Sequence, residues 1–570
     1  MFAKTDSNKM YNLIFSWIIV SALFFTNRQM NLISLPVYKI LAFVIFVDAV
    51  LLIWLLINRI RDQRYVKIAM ILFSTIYFTA AAVIDTQQLL AMGLCVVLGI
   101  IILSTDVRDI RFVAGEKGFR NTILFLSFLF VVLVGGNCCL IFLNHIAPCF
   151  DFGLFSQMFH YMKETGIPFT TCERDKLLSH FAVHVSPVYY LMFPFYYLFP
   201  SPMTLELLQS IIAVSGIIPL ILIMKRHSLG RGVMIFFALI YIFFPGFAGG
   251  CFWHLHENCF LAPFVLWLIY FCEKELWYGQ VIFAVLTLAV KEDAAVYVAA
   301  ISLYFLLTRK SRKCNYCILA ASVLYFIGVT YYLTVYGDGI QMGRYENFVT
   351  NGEGPLTLLS AVITDPVNII RQLMVADKLK FIFMTLMPMG FLPLITKDYR
   401  RAILMLPWLL INLLASLSYQ YNMTFHYCFG TCAILIYLAV INYTDLTKNY
   451  RKKMLLYGAC CTVILFANVN HSCLGYIDTY KNDAESRARI NYAISLIPED
   501  ASVAAGTYLV ADLADHDELY ELEKTKNKAD YYILDLRRKN DKYDIKDFLN
   551  EKYETIYYEP GAAAVFKRIR

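Results

Sequence analysis

The chain has 570 residues, of which 59% are hydrophobic and only 16% charged, with a mean hydropathy of +0.58. A soluble chain carries about a quarter charged residues, so this composition excludes a soluble globular protein and predicts a polytopic membrane one. The net charge of +7 divides into −4 over residues 471–570 and +11 before them. The basic excess falls in short loops, as in cytoplasmic loops, and excludes a nucleic-acid partner.

A spanning helix needs roughly 20 apolar residues. Candidate spans are 11–26, 36–58, 66–85, 89–104, 122–144, 203–224, 232–248, 260–272, 279–290, 294–308, 315–335, 379–396, 402–418, 425–443 and 453–470. Several are short, so about 13–15 cross. The expected fold class is an all-α polytopic membrane bundle. One alternate set of loops is basic: 59–67, 106–120, 225–231, 308–313, 397–401 and 447–453. These should face the cytoplasm with the N-terminus. Loops 146–187, 249–258, 336–377 and 419–424 should lie outside, together with residues 471–570.

The stretch Cys149 to Pro187 is polar and orderly. Phe152, Phe155, Phe159 and Met162 recur at helical spacing, so one helix face is apolar. Gln157, His160 and Glu164 are expected on other faces, and Gly166 and Pro168 stop the helix. The helix is expected to lie on the membrane. Asp151 stands at its head. It reads as an N-cap, as a general base toward an acceptor hydroxyl or amine, or as both. His180 and His184 lie four apart, on one face of any helix. They could bind a divalent metal or a phosphate, or simply hydrogen-bond. Cys149 and Cys172 flank the loop and could pair on an oxidising side. The apolar segment from Val185 to Pro200 is broken by three prolines and reads as juxtamembrane or re-entrant.

Further polar groups fall in the other outer loops. His254, His256 and Glu257 follow Gly249 and Gly250, which would permit a tight turn, with Trp253 as an interfacial anchor. Lys291, Glu292 and Asp293 separate two short apolar runs, with Asp293 as a possible N-cap. Arg344 and Lys378 are cations suited to a phosphate. His426 lies at an outer helix end. Asp48 sits mid-span with no nameable partner. Charge is otherwise nearly absent from the span middles.

From about His471 the chain turns polar and alternates. Glu485 to Ile497 and Ile545 to Tyr553 read as helices. Ala501 to Val510, Tyr531 to Leu536 and Glu554 to Arg568 read as strands, the last with a Pro560-Gly561 turn. This predicts a small extracytoplasmic α/β domain. No P-loop or GxGxxG is present, which disfavours a nucleotide-driven pump.

The successive motifs DFGLFSQ, HVSPVYYLMFP, HENCFLAPF, KEDAAVYV, HYCFG and IPEDASVAAGTYL resemble those of a bacterial and archaeal membrane protein family, domain of unknown function 2079. The resemblance covers about residues 122–570 and leaves 1–120 as additional N-terminal helices before a core over 121–470. That family is similar in layout to GT-C glycosyltransferases, which take a sugar from a polyprenyl-phosphate carrier. The likeness implies that Asp151 matches the catalytic acid position. His184, His256, Glu257, Glu292 and Asp293 match recurring polar motifs. Paired acids, frequent in that loop of GT-C enzymes, are not found here, since Phe152 follows Asp151. The expected function is transfer of a sugar from a polyprenyl-phosphate donor to an extracytoplasmic glycan, lipid or protein, amid membrane lipids. A transporter of a lipid-linked precursor, or a non-catalytic envelope assembly protein, are the alternatives.

Overall fold

The computed structural model describes residues 2–30, 39–310, 312–338, 346–348, 360–361, 363–539 and 542–569. Four N-terminal helices come first: α1 (Phe2–Met30), α2 (Lys39–Asn58), α3 (Gln63–Ile84) and α4 (Gln88–Ser104). α3 and α4 pack on the last long helix, Lys448–Asn470. Asn468 Nδ2 fixes that seam by donating to the Ala82 carbonyl at 2.7 Å. Asp48 is exposed on α2.

The core opens with α5 (Glu116–Phe130), which runs through a wider turn at Val131–Gly135 into α6 (Gly136–Leu143). After a long excursion containing α7 (Leu154–Thr165) and α8 (Phe193–Leu198), the bundle resumes. α9 (Pro202–Ser215) continues into α10 (Ile217–Arg226), and α11 (Arg231–Ile242) into α12 (Pro245–Phe252). Then come α13 (Leu261–Lys274), α14 (Trp277–Leu288), α15 (Ala294–Leu307) and α16 (Arg312–Val335). The helix Phe429–Tyr443 is buried all round at the centre. Among the described residues eight helices are long and apolar enough to cross a membrane, and four shorter apolar helices accompany them. The chain is a multi-pass membrane protein.

The expected spans 379–396 and 402–418 are not continuous α-helices. Ala376–Leu386 gives way to short turns at Met387–Met389 and Leu392–Leu394, and Trp408–Leu413 is a wide π turn. Pro388, Pro393 and Pro407 lie at the breaks, and each lacks the N–H a helix needs.

The bundle has two unlike ends. At one, the basic loops meet. Lys452 Nζ donates to the carbonyls of Arg108 and Ile110, Arg401 pairs with Asp445 at 2.7 Å, and Arg231 pairs with Glu116 at 3.3 Å. At the other end sits the C-terminal domain. Helix Ala484–Ser495 precedes a five-stranded sheet of order β4-β3-β5-β7-β6. Its strands are β3 (Val503–Ala505), β4 (Leu519–Glu521), β5 (Tyr531–Asp535), β6 (Tyr553–Glu559) and β7 (Ala563–Arg568). β3 is parallel to β4 and β5, while β7 is antiparallel to β5 and β6. The sheet is thus α/β, as the alternation predicts. The expected helix 545–553 is only a capped turn at Ile545–Asp547, and Tyr553 already belongs to β6.

The domain clamps the stretch around α7. A small hairpin, β1 (Phe169–Thr170) with β2 (Leu178–Ser179), lies beside that helix. Gln157, expected off the apolar face, is fully buried. Its amide bonds Thr171 at 2.9 Å and the His516 carbonyl at 3.0 Å, tying helix, hairpin and domain together. His145 meets Asp512 at 2.9 Å, Thr507 Oγ1 accepts from the Cys149 N–H at 3.1 Å, and Arg537 bonds the Asn144 and His145 carbonyls. The apolar face of α7 is buried as its spacing predicts, with Phe155 and Phe159 against Tyr189. So α7 lies between bundle and domain, where a bare membrane surface was expected. Gly166, at φ +77°, ends it.

Candidate functional site

The site is built where the loop after α6, the turn after α12, the junction of α14 and α15, and the segment 418–428 meet. Asp151 is not an N-cap. It sits inside a wide turn, Cys149–Gly153, with φ +68°, and no side-chain cap is made there. That left-handed backbone is tolerated by Asp but costs roughly 1–2 kcal/mol. It aims the side chain inward, where Oδ2 accepts the indole N–H of Trp253 at 2.7 Å. Burial pushes the Asp151 carboxyl above its ordinary value, against the opposing pull of His256 and the Trp253 N–H.

The turn after α12 supplies most of the cluster. His254 also has a left-handed backbone, φ +73°. Its Nδ1 lies 3.1 Å from Glu206 Oε1, and its ring stacks on Phe152 with centroids 4.7 Å apart. The next two residues make a chain of charge. His256 Nδ1 stands 2.9 Å from one oxygen of Glu257, Lys291 Nζ lies 2.9 Å from the other, and the Tyr189 hydroxyl donates to the carboxylate at 2.6 Å. Burial alone would raise the Glu257 carboxyl, but His256 and Lys291 together outweigh it and hold it well below the carboxylate range. Glu257 and Lys291 are 0% and 1% exposed, so this is a fully desolvated ion pair.

His426 closes the group. Its ring lies parallel to His256, with centroids 3.4 Å apart. Gly249 and Gly250 make this approach. They form no tight turn: both lie within α12, and a Cβ on Gly249 would stand 2.1 Å from the Met423 carbonyl oxygen. One on Gly250 would meet the Phe429 ring at 2.6 Å.

The two histidines of the long loop are near but separate. His180 begins a short 3-10 turn, not an α-helix, and its Nδ1 pairs with Glu173 at 3.0 Å. His184 pairs with Glu292 at 2.9 Å. The rings lie 5.9 Å apart, each held by its own carboxylate. Asp293 occupies the N-cap position of α15, but its side chain makes no cap bond. Lys378 is buried with its ammonium 4.3 Å from the Phe348 ring centre and 4.9 Å from that of Tyr421. Desolvation pushes its amine down to about 8. Close by, a cleft of about 120 Å³ is lined by Asp377, Lys380, Phe381 and Tyr421 among others. Arg344 lies outside the described residues. Cys149 and Cys172 are free thiols.

The cluster therefore joins Asp151, Trp253, His256, Glu257, Lys291, Tyr189 and His426, with His184–Glu292 and His254–Glu206 beside it. Sequence reasoning missed Tyr189, Gln209 and Glu173. Gln209 accepts the His256 N–H at 2.7 Å. Tyr189 does stand in the HVSPVYYLMFP motif, but nothing in the chain marks which tyrosine turns inward.

Comparison with known proteins bears on this arrangement. The family model described as "Predicted membrane protein (DUF2079)" matches residues 145–563. The chain belongs to this family. The match begins just before the loop that carries Asp151 and ends in β7, so the polar cluster and the clamping domain both fall within the DUF2079 region. Helices α1 to α4 precede it. No curated protein matches the chain. Among solved structures the chain is similar to ArnT from Cupriavidus metallidurans bound to undecaprenyl phosphate. That match has 10% identity and a TM-score of 0.49, and covers 80% of this chain and 99% of that one. It is also similar to the apo state of the same protein, at 10% identity and a TM-score of 0.46, covering 79% and 97%.

Proposed function

We propose that this protein is a membrane glycosyltransferase that moves a sugar from a polyprenyl-phosphate donor to an acceptor outside the cytoplasm. One observation carries the reading: a buried carboxylate, Asp151, is fixed by Trp253 within a polar cluster at the domain-bearing end of the bundle. A transporter keeps its polar site near the midplane, on broken helices. An enzyme working on a lipid-linked substrate needs it at the interface, where a headgroup arrives from the side. The basic loops gather at the opposite end, which by their charge is the cytoplasmic one.

In this reading Asp151 takes the proton from the acceptor hydroxyl or amine, and the freed oxygen or nitrogen attacks the anomeric carbon with inversion. The bond to the phosphate oxygen breaks, and polyprenyl phosphate leaves. Growing charge on that phosphate needs preorganised donors. Lys378 suits this role, because aromatic rings surround its ammonium and no carboxylate neutralises it among the described residues. Lys291 does not, since Glu257 already holds it. The C-terminal domain roofs the Asp151 turn and would bind or orient the acceptor.

The test is turnover of a panel of polyprenyl-phosphate sugars by purified protein in nanodiscs, wild type beside Asp151→Asn. Release of polyprenyl phosphate by the wild type, reduced about 10²–10⁴-fold in the variant as for loss of a general base, is the expected result. Movement of the intact donor across the bilayer without release would instead identify a transporter. A phenotype in cells unchanged by Asp151→Asn would identify an assembly protein.

A further inference from the structure

His426 is 4% exposed, and neither of its ring nitrogens has a hydrogen-bond partner among the described residues. Buried polar atoms are almost always satisfied, so two empty positions on one imidazole call for a missing ligand. The side chain is not isolated. The ligand atoms of Asp151, His256 and His426 all lie within 4.8 Å of one another. From this geometry we propose that Asp151, His256 and His426 bind a divalent first-row transition ion of the zinc class.

The donor set fits such an ion. Two imidazoles and a carboxylate suit zinc and its neighbours, and three protein ligands leave a position open for substrate. Adjacent ligand atoms on a tetrahedral ion with bonds of about 2 Å stand about 3.3 Å apart, so atoms within 4.8 Å of one another need to close by at most about 1.5 Å. The His256 and His426 rings stack in parallel with centroids 3.4 Å apart, so a shared ion requires one ring to turn until the two in-plane lone pairs converge.

The supporting shell is of the kind metal ligands carry. His256 keeps Nδ1 2.9 Å from the Glu257 carboxylate, an ion-pair distance without hydrogen-bond alignment, so Nε2 would be the nitrogen offered to the ion. A carboxylate behind a ligating histidine fixes its tautomer and raises its basicity. Glu257 is fixed in turn by Lys291 and Tyr189. Trp253 occupies Oδ2 of Asp151, which leaves Oδ1 free. His180 and His184 have carboxylates of the same kind on Nδ1, but among the described residues they do not form a group of three ligand atoms within 4.8 Å.

The site deepens the transferase reading and depends on it only for its use. A divalent ion there would share Oδ1 of Asp151 and make that carboxylate a weaker base, so the ion itself would make the acceptor hydroxyl easier to deprotonate and lower the cost of charge growing on the donor phosphate. Ion binding itself needs no turnover.

The experiment is metal analysis of purified protein after chelation and reloading with zinc, followed by cobalt titration read by visible absorption. The wild type should hold about one equivalent and give the bands of a cobalt site with nitrogen and oxygen ligands. His256→Gln and His426→Gln should lose the ion at least tenfold in affinity. Glu257→Gln, which keeps all three ligands, should weaken it about ten- to a hundredfold. His180→Gln should bind as the wild type does. His426→Cys gives a positive readout that a misfolded variant cannot mimic: a thiolate-to-cobalt charge-transfer band. Wild type without a bound equivalent overturns the proposal, and so does binding unchanged in His426→Gln with no new band in His426→Cys. Bound ion without sugar transfer would leave the site standing and remove the transferase reading. Transfer by ion-free protein would keep the transferase reading and remove the ion from its chemistry, with the site itself judged by the metal analysis.

Discussion

At the scale of single residues, the two buried lysines differ in kind: one holds the polar cluster together, and the other, outside it, carries a charge free to act. Lys291 is of the first kind. It is fully buried against Glu257, which also receives Tyr189 and faces His256. Removing one member of a desolvated pair leaves the other uncompensated, typically costing about 3–5 kcal/mol. Lys291→Met should therefore lower thermal stability markedly in detergent, while the double variant Lys291→Met with Glu257→Gln should recover part of the loss; equal losses in both would show that the pair is not coupled. Lys378 is of the second kind. Burial puts its amine at about 8 instead of 10.5, so its charge fades as pH rises through about 8. The lowered value means that the ammonium form dominates below pH 8 and the neutral form above it. Phosphate binding that uses this ammonium should weaken up to about tenfold per pH unit above 8. Donor affinity measured from pH 6.5 to 9.5 should show that fall in the wild type and a flatter, weaker profile in Lys378→Gln; identical profiles would remove Lys378 from the phosphate site. The sequence marks these residues by kind but not by role. Charged groups in an apolar chain stand out, whereas which of two lysines has a carboxylate partner depends on packing between segments 34 residues apart.

At the scale of elements, glycines decide how closely segments approach. Sequence reading expects Gly249 and Gly250 to free a turn, but both stand in α12. Their service is to admit the 423–426 backbone, which carries His426 onto His256. A glycine in a helix is ordinarily improved by alanine, by up to about 1 kcal/mol. Gly93→Ala in α4, where nothing lies within 4 Å, should show that gain as a higher melting temperature. Gly249→Ala should do the opposite, because a backbone oxygen stands 2.1 Å from the new carbon and must move. Overpacking of this kind costs about 1–3 kcal/mol, and activity should fall with it. If both substitutions stabilised, close approach would not be the reason for the glycine. The same limit explains the element errors. Periodicity found α7 because its burial follows the helical repeat, and the β6–β7 hairpin is marked by its Pro560-Gly561 turn, since neither strand alternates in burial. It missed β4, three residues long, whose place is set by β3 and by Thr171 from the distant hairpin. It set Gln157 off the apolar face of α7, and only the hairpin and the domain packed over it make the buried position satisfiable.

At the scale of the whole molecule, what the sequence displays best is polarity of the two ends. Six basic loops recur on alternate turns of the chain, and in the structure those that interact do so at one end, as in Lys452 with Arg108 and Arg401 with Asp445. The negative C-terminal hundred residues lie at the other end, clamped over Asp151 through Arg537, Thr507 and Gln157. Docking of that domain was not legible, since no local pattern records which surface a small sheet covers. Orientation is therefore the claim on which the functional reading leans most, and it can be checked without any substrate. Excess Lys and Arg in short loops stays on the cytoplasmic side, so residues 471–570 should lie across the membrane from those loops. Alkaline phosphatase joined after Arg570 should be active and a fluorescent protein there dark, while the same reporters placed after Arg309 should give the reverse. The opposite pattern would set the cluster on the cytoplasmic face. Asp151 would then meet nucleotide-activated sugars before lipid-linked ones, and the polyprenyl-phosphate donor would lose its rationale even with every contact in the cluster unchanged.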